Sequence, residues 1–381
     1  MPSESAFQTA FCQQAVVFQR KSAKFDGTFK ISHGEYKMKF KSLLLGMALS
    51  AALTAAAQPS GTSSHLLAPE YKDPALLSAL KIDAAQLQDK KGLAAVNRLF
   101  LEAAEASPVQ PNAKLTAPKR GSQPAVDLYV YYPEGGNKQQ WPVVYFIHGD
   151  GYLIGNARQN NESLAELARL NQVAVVSVEY RLAPEAPFPA DIDDAYHGLA
   201  YMLNHADQFK IDKEKFILMG ESAGGGLAAR LALKVRDKGE FKPKGQVLIY
   251  PMLDYRTGTA QSPYDSRYAG EFVWTAQMNR IGWETLKGGQ TIAADQMPYY
   301  SAATAQNLSG LPRTYMMAGS LDLFVNENLD YANRLIQAGV PTDFQLISGV
   351  YHAFEAVNPQ SPQTRDYKAA RTQAIQRMLA E

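Results

Sequence analysis

Phe216-Ile217-Leu218-Met219 runs straight into Gly220-Glu221-Ser222-Ala223-Gly224, and Gly225-Gly226-Leu227-Ala228-Ala229-Arg230-Leu231-Ala232-Leu233 follows. A short unbroken apolar run, a small-residue turn and a helix-forming stretch read as strand, sharp turn, helix. The turn matches G-x-S-x-G. Alone that pattern is weak, but between a buried strand and a helix it is the setting of a nucleophile elbow. Ser222 is then the candidate nucleophile. A turn this sharp crowds the residues two before and two after the serine, so Gly220 and Gly224 remove side chains that would clash. The helix N-terminus adds partial positive charge where an oxyanion would develop.

Working outward, the same strand type recurs. Val143–Ile147 ends in His148-Gly149-Asp150-Gly151, and Val173–Val178 is another run. Val247–Tyr250 ends at Pro251, Thr314–Met317 at Ala318-Gly319, and Phe344–Ile347 at Ser348-Gly349. Val126–Tyr132 alternates instead. Helical segments are expected between them, at Glu162–Leu170, Asp193–Asn204, Gly225–Lys238, Asn328–Gly339 and Arg365–Ala380. Continuous apolar strands separated by helices predict one α/β domain whose mostly parallel sheet is buried on both faces. Ligands in such sheets sit at the strands' carboxyl ends.

An elbow serine of this kind is followed along the chain by its acid and then its histidine. Of six histidines, only His352 lies after Ser222. Between them Asp322 follows a strand and a turn, thirty residues before His352. It is the first choice of acid, and Glu327 the second. Asp254 follows an earlier strand, and Asp330 and Glu327 fall in or near the next helix. The acid's role would be to hold the imidazole tautomer and stabilise the imidazolium.

Six ordered blocks between Pro142 and Phe354 resemble the bacterial branch of the hormone-sensitive-lipase-like esterases, of the α/β-hydrolase fold-3 type. They are His148-Gly149-Asp150-Gly151, Tyr180–Glu185 (YRLAPE), Phe188-Pro189-Ala190, Gly220–Gly225, Leu311-Pro312 and His352-Ala353-Phe354. The resemblance implies an eight-stranded, mostly parallel sheet with helices on both faces. It also implies a helical cap, built from about 74–107 and from 256–299, the latter holding Trp274 and Trp283. It further implies an oxyanion hole of backbone N–H groups from Asp150, Gly151 and Ala223, and cleavage of short-chain acyl esters through an acyl-enzyme without a cofactor. Asp150 stands where the family usually has Gly, and Glu221 where Asp or Thr is commoner. We expect Asp150 to offer its N–H while its carboxylate faces away and finds a donor. Deacetylase, amidase or lactonase chemistry would use the same triad. A non-catalytic binding protein on this scaffold is disfavoured by the presence of His352.

Composition narrows the rest. A net charge of +1 over 381 residues gives no electrostatic case for nucleic acid. No His/Cys metal-ligand spacing appears, so nothing argues for a metal, and the resemblance implies no cofactor and a small-molecule ester as partner. From Met38 the chain reads MKFKSLLLGMALSAALTAAAQPSG, with two lysines, an apolar core and a small-x-small site at Ala55–Ala57. This is a signal-peptide layout over 38–57. Residues 1–37 carry no periodicity, so Met38 is the expected start and residues 58–381 the exported hydrolase, periplasmic or secreted. The core is short and Ala-rich for a membrane span, so no stable insertion of the mature chain is expected. The one cysteine, Cys12, precedes this site. The remainder is thiol-free, as suits an oxidising compartment.

Overall fold

The computed structural model describes residues 63–73, 77, 84–133, 140–265 and 267–381. The expectations for 1–37 and for the signal segment 38–57 lie outside these residues. Eight strands form one sheet: β1 (Ala113–Ala117), β2 (Val126–Tyr131), β3 (Trp141–Ile147), β4 (Ala174–Val178), β5 (Ile211–Glu221), β6 (Gly245–Ile249), β7 (Thr314–Gly319) and β8 (Thr342–Ile347). Their order is β1-β2-β4-β3-β5-β6-β7-β8. The β1–β2 and β2–β4 pairs are antiparallel, and every later pair is parallel. This is the mostly parallel α/β sheet expected from the strand pattern, with the eight strands that the resemblance implies.

The unbroken apolar runs are explained by a core on each face of the sheet. Val143, Tyr145, Ile147, Phe216, Leu218 and Leu248 face one core. Their neighbours Val144, Phe146, Ile217, Met219, Val247 and Ile249 face the other. With successive side chains on opposite faces, burial on both sides favours apolar residues at consecutive positions, and the few buried polar ones, such as Gln246 and Thr314, bond to each other. Helices α2 (Asn161–Asn171), α3 (Ala190–Asn204) and α4 (Ala223–Lys238) connect the central strands. α4 starts at the residue after Ser222 and stops at Gly239 in the left-handed region, where glycine carries no Cβ penalty.

The stretch from 74 to 107, read as one helical segment, is divided in its described part. A 3₁₀ turn covers Ala84–Leu87, and α1 covers Lys90–Ala106. Asp89 causes the break: its carboxylate accepts the N–H groups of Lys91 and Gly92 and restarts the helix. α5 (Ala276–Lys287) lies above the sheet's carboxyl end, capped by the Thr275 hydroxyl. It faces α1 and the 3₁₀ turn across a cavity of about 240 Å³ lined by Leu87, Leu93, Pro184 and Ile281. α6 (Met297–Tyr300), α7 (Val325–Gln337), α8 (Phe354–Val357) and α9 (Pro362–Ala380) complete the helices used below. Among the described residues no helix is long and apolar enough to cross a membrane.

Candidate active site

β5 delivers Ser222 at its carboxyl end with φ 55° and ψ −122°, a backbone that non-glycine residues rarely adopt. The crowding expected at this turn is present. A Cβ on Gly220 would lie 2.1 Å from Gly224 O, and one on Gly224 2.2 Å from Ile147 O. Three hydrogen bonds fix the strained residue: Ser222 N–H donates to Ile249 O, and Ser222 O accepts from Gly226 and Met252. Neighbouring strand and helix therefore over-determine the turn.

Two other strands bring in the partners. β7 ends at Gly319 and the following turn carries Asp322, while β8 leads through Ser348-Gly349 to His352. The two turns are stitched together by Ser320 N–H to Ile347 O and Leu321 N–H to Val350 O. His352 Nδ1 lies 2.8 Å from Asp322 Oδ2, and Nε2 lies 2.8 Å from Ser222 Oγ. With Nδ1–H donating to the carboxylate, Nε2 is left to accept from the serine hydroxyl. The second carboxylate oxygen of Asp322 accepts the Phe324 N–H at 2.9 Å. All three side chains are withdrawn from solvent: Asp322 is 0% exposed, His352 4% and Ser222 7%. Tyr250 and Phe324 present their rings to His352 at 4.6 and 5.3 Å.

Glu327, the second candidate for the acid, is elsewhere. It lies in the first turn of α7, where it accepts the Leu253 N–H and the Thr257 hydroxyl. Burial pushes its carboxyl well above the usual range. Asp254 is held in a two-pronged pair by Arg256.

The His148–Gly151 loop meets the elbow at van der Waals distance. A Cβ on Gly149 would fall 2.8 Å from Glu221 O. Asp150 and Gly151 have φ of 74° and 68°, in the left-handed region that a tight turn requires. Ala223 opens α4. Among the described residues, none of the Asp150, Gly151 and Ala223 N–H groups has a protein acceptor. The Asp150 carboxylate finds the expected donor in the Gln159 side-chain amide. His148, despite its place in the motif, is fully buried. Burial lowers its pKa to about 3, and it stacks on Tyr180 at 4.4 Å. It is a neutral packing residue.

Two features escaped the reading from sequence. The first is a buried polar group behind Ser222 and His352. The Tyr250 hydroxyl donates to Glu355 Oε1, and Asn160 donates to Glu221 Oε2 at 3.3 Å. Burial, with repulsion from Glu355, raises Glu221 to about 7. Glu355 stands three residues after the catalytic-candidate histidine and Glu221 one before the serine, so only their adjacency to the motifs could have flagged them. The second is the seat of Trp274. A Cβ on Gly151 would fall 2.4 Å from its ring, and the ring centroid is 6.4 Å from His352. Its indole N–H donates to Asn279 Oδ1, and Asn279 in turn donates to Thr257 O.

Residues 143–356 match the family described as alpha/beta hydrolase fold. The chain belongs to that family, in its esterase branch. It is similar to the solved structure of a bacterial heroin esterase, with a TM-score of 0.74 and 32% identity, covering 84% of this chain and 99% of that one. It is also similar to the carboxylic ester hydrolase LipN of Mycobacterium tuberculosis, 31% identical over 59% of each chain. The ethyl acetate hydrolase of Pseudomonas putida is 30% identical over 55% of this chain and 64% of its own. The chain thus spans about three fifths of the length of these two curated relatives.

Proposed function

We propose that the protein is a serine carboxylic-ester hydrolase acting on short-chain acyl esters. What carries the reading is the continuous line from Asp322 through His352 to Ser222, each contact 2.8 Å long. It lies beside three N–H groups that lack an acceptor among the described residues. His352 Nε2 takes the Ser222 proton as Oγ attacks the ester carbonyl, and the tetrahedral oxyanion is held by the Asp150, Gly151 and Ala223 N–H groups. The C–O bond to the leaving alcohol then breaks, and His352 returns the proton to that alcohol. Water, deprotonated by the same imidazole, cleaves the acyl-enzyme and regenerates the serine hydroxyl. Asp322 holds the ring throughout.

The preference for short acyl groups rests on Trp274, whose ring fills the space over Gly151. A relative named for ethyl acetate agrees with small substrates. α1 and α5 act as the cap, closing over the strand ends. The protein works outside the cytoplasm, with translation starting at Met38 and cleavage after Ala57, on the strength of the Met38–Ala57 layout.

A p-nitrophenyl ester series from acetate to palmitate, run beside an anilide and a lactone, tests the substrate class. Activity should peak between about two and eight acyl carbons. A dominant rate on the anilide or the lactone would overturn it. A fluorophosphonate should label Ser222 alone by peptide mapping. N-terminal sequencing from the native host should begin at Gln58, and an intact cytosolic chain beginning at Met1 or Pro2 would refute export.

A further inference from the structure

Residues Ser63–Asp73 precede the part of the chain that matches the family, yet they lie against the loop that carries His352. The segment is two short 3₁₀ turns, Ser64–Leu66 and Pro69–Tyr71, joined by extended Leu67 and Ala68. It has no strand or long helix of its own, so its order comes from what it touches. Ala68 N–H donates to Gly349 O at 2.9 Å. Gly349 has φ 74°, and a Cβ there would lie 2.6 Å from Ala68 N. Tyr71 is 0% exposed and Leu67 3%. The Tyr71 ring stands edge-on to Tyr351 at 5.6 Å and to Phe354 at 6.1 Å. Its hydroxyl meets Ser361 Oγ at 2.7 Å.

The ends of the segment are also tied. Ser63 N–H donates to Glu271 Oε2 at 2.9 Å, and Asn358 donates to Glu70 O at 3.2 Å. The contacts therefore bracket His352: Gly349 and Tyr351 before it, Phe354 and Asn358 after it. On the inner side the same turn is held by Ser320, whose Oγ accepts the Gly349 N–H, and by Leu321. The outer side of the turn has this segment as its cover.

We propose that Ser63–Asp73 is a positioning strap for the general base: its docking holds the 349–354 turn so that the imidazole stays between Asp322 and Ser222. Tyr71 acts through Tyr351 and Phe354, and Ala68 through Gly349. The physical reason is the tolerance of the chemistry. A displacement of about 1 Å in a reacting group can cost on the order of a hundredfold in rate, and this turn is clamped between Ser320 and Leu321 on one side and the Ser63–Asp73 segment on the other. The proposal rests on His352 being the base, and the experiment separates the two.

Tyr71→Ala, Tyr71→Phe, Ala68→Pro and His352→Ala are compared with the parent in the full chain, at a temperature where circular dichroism shows each to be folded. Ala68 has φ −62°, a value proline adopts, so Ala68→Pro removes the N–H donor without demanding a new backbone. Tyr71→Ala and Ala68→Pro should lower kcat about 10–100-fold. KM should change less than about threefold, and fluorophosphonate labelling of Ser222 should slow in parallel. Tyr71→Phe, which keeps the ring, should retain kcat within about threefold. If Tyr71→Ala does not fold, Ala68→Pro carries the test. Folded strap variants with kcat within twofold of the parent would overturn the proposal, as would losses that merely track the unfolded fraction. Parental activity in His352→Ala would instead overturn the assignment of the base.

Discussion

Ser222, Asp322 and His352 hang from the carboxyl ends of β5, β7 and β8, whereas Trp274 and α5 face them from a long segment between β6 and β7 that contains no strand among its described residues. The lower wall is fixed by sheet geometry: the elbow serine is tied through its own N–H and C=O to Ile249, Gly226 and Met252. The upper wall is fixed by side chains, with Trp274 resting on Gly151 and tethered through Asn279 to Thr257. A hydrogen-bonded parallel sheet leaves its strand ends in one arrangement, while a wall held by packing can be reshaped one residue at a time. On the proposed function, chemistry is placed on the first and substrate size on the second.

Substitutions on the two walls should therefore differ in kind as well as in size. Ser222→Ala or His352→Ala should each lower kcat by roughly four to six orders of magnitude with the melting temperature little changed, and Asp322→Asn somewhat less. Assays on purified variants with p-nitrophenyl acetate check this. A folded Ser222→Ala variant retaining a tenth of the parental kcat would break the comparison at its base.

On the upper wall, Trp274→Leu should keep kcat on acetate within about tenfold. It should raise the octanoate-to-acetate ratio of kcat/KM by about tenfold, since each added methylene in an apolar pocket is worth about 1–3 kcal/mol. An unchanged ratio would remove Trp274 from the size-limiting wall.

Asp150 belongs to the lower wall but should behave mildly. Its carboxylate accepts from the Gln159 side-chain amide, and its N–H has no acceptor among the described residues. Asp150→Gly should alter kcat/KM by less than about tenfold, against the ~10²–10³ that losing an oxyanion donor costs. A loss of hundreds-fold in a folded variant would give the side chain a role of its own.

The smallest effect is expected at Glu221, and it should appear in stability. Its pKa in the folded protein is about 7, above the ordinary 4.5, through burial and then the neighbouring Glu355, with Arg371 opposing and Asp150 reinforcing. The folded state thus holds the proton more tightly than the unfolded chain. The associated stability is fully present below about pH 4.5 and is lost as pH rises through about 7. Glu221→Gln abolishes that titration, so the melting temperature of the parent should fall more between pH 5 and pH 8 than that of the variant. Parallel curves in a pH series of thermal melts would contradict the assignment.

How much of this was legible in the sequence follows the same division. Ser222, Asp322 and His352 were readable because each follows a local strand signal, and the strand's end decides where its turn points. The positions of Gly220 and Gly224 were readable because the steric conflict is between residues four apart. Strand β1 was missed: Ala113–Ala117 reads AKLTA, too short and polar to announce itself, and its partner β2 makes it a strand. Trp274 could be noticed as an aromatic in an insert, but its seat on Gly151 depends on packing between segments more than a hundred residues apart. The strap was invisible for the same reason in a stronger form, since nothing in Ser63–Asp73 is periodic.

Tyr71 meets Ser361 across 290 positions of sequence. A contact of that span can close only when nearly the whole chain is available, and chain entropy makes such long closures late events. The earliest-synthesised part of the folded body and the turn bearing the base thus find each other last. A half-made chain can have its sheet begun and its elbow formed and still lack the turn that bears His352. Competence arrives with completion, which keeps a nucleophilic serine idle for as long as the chain remains unfinished.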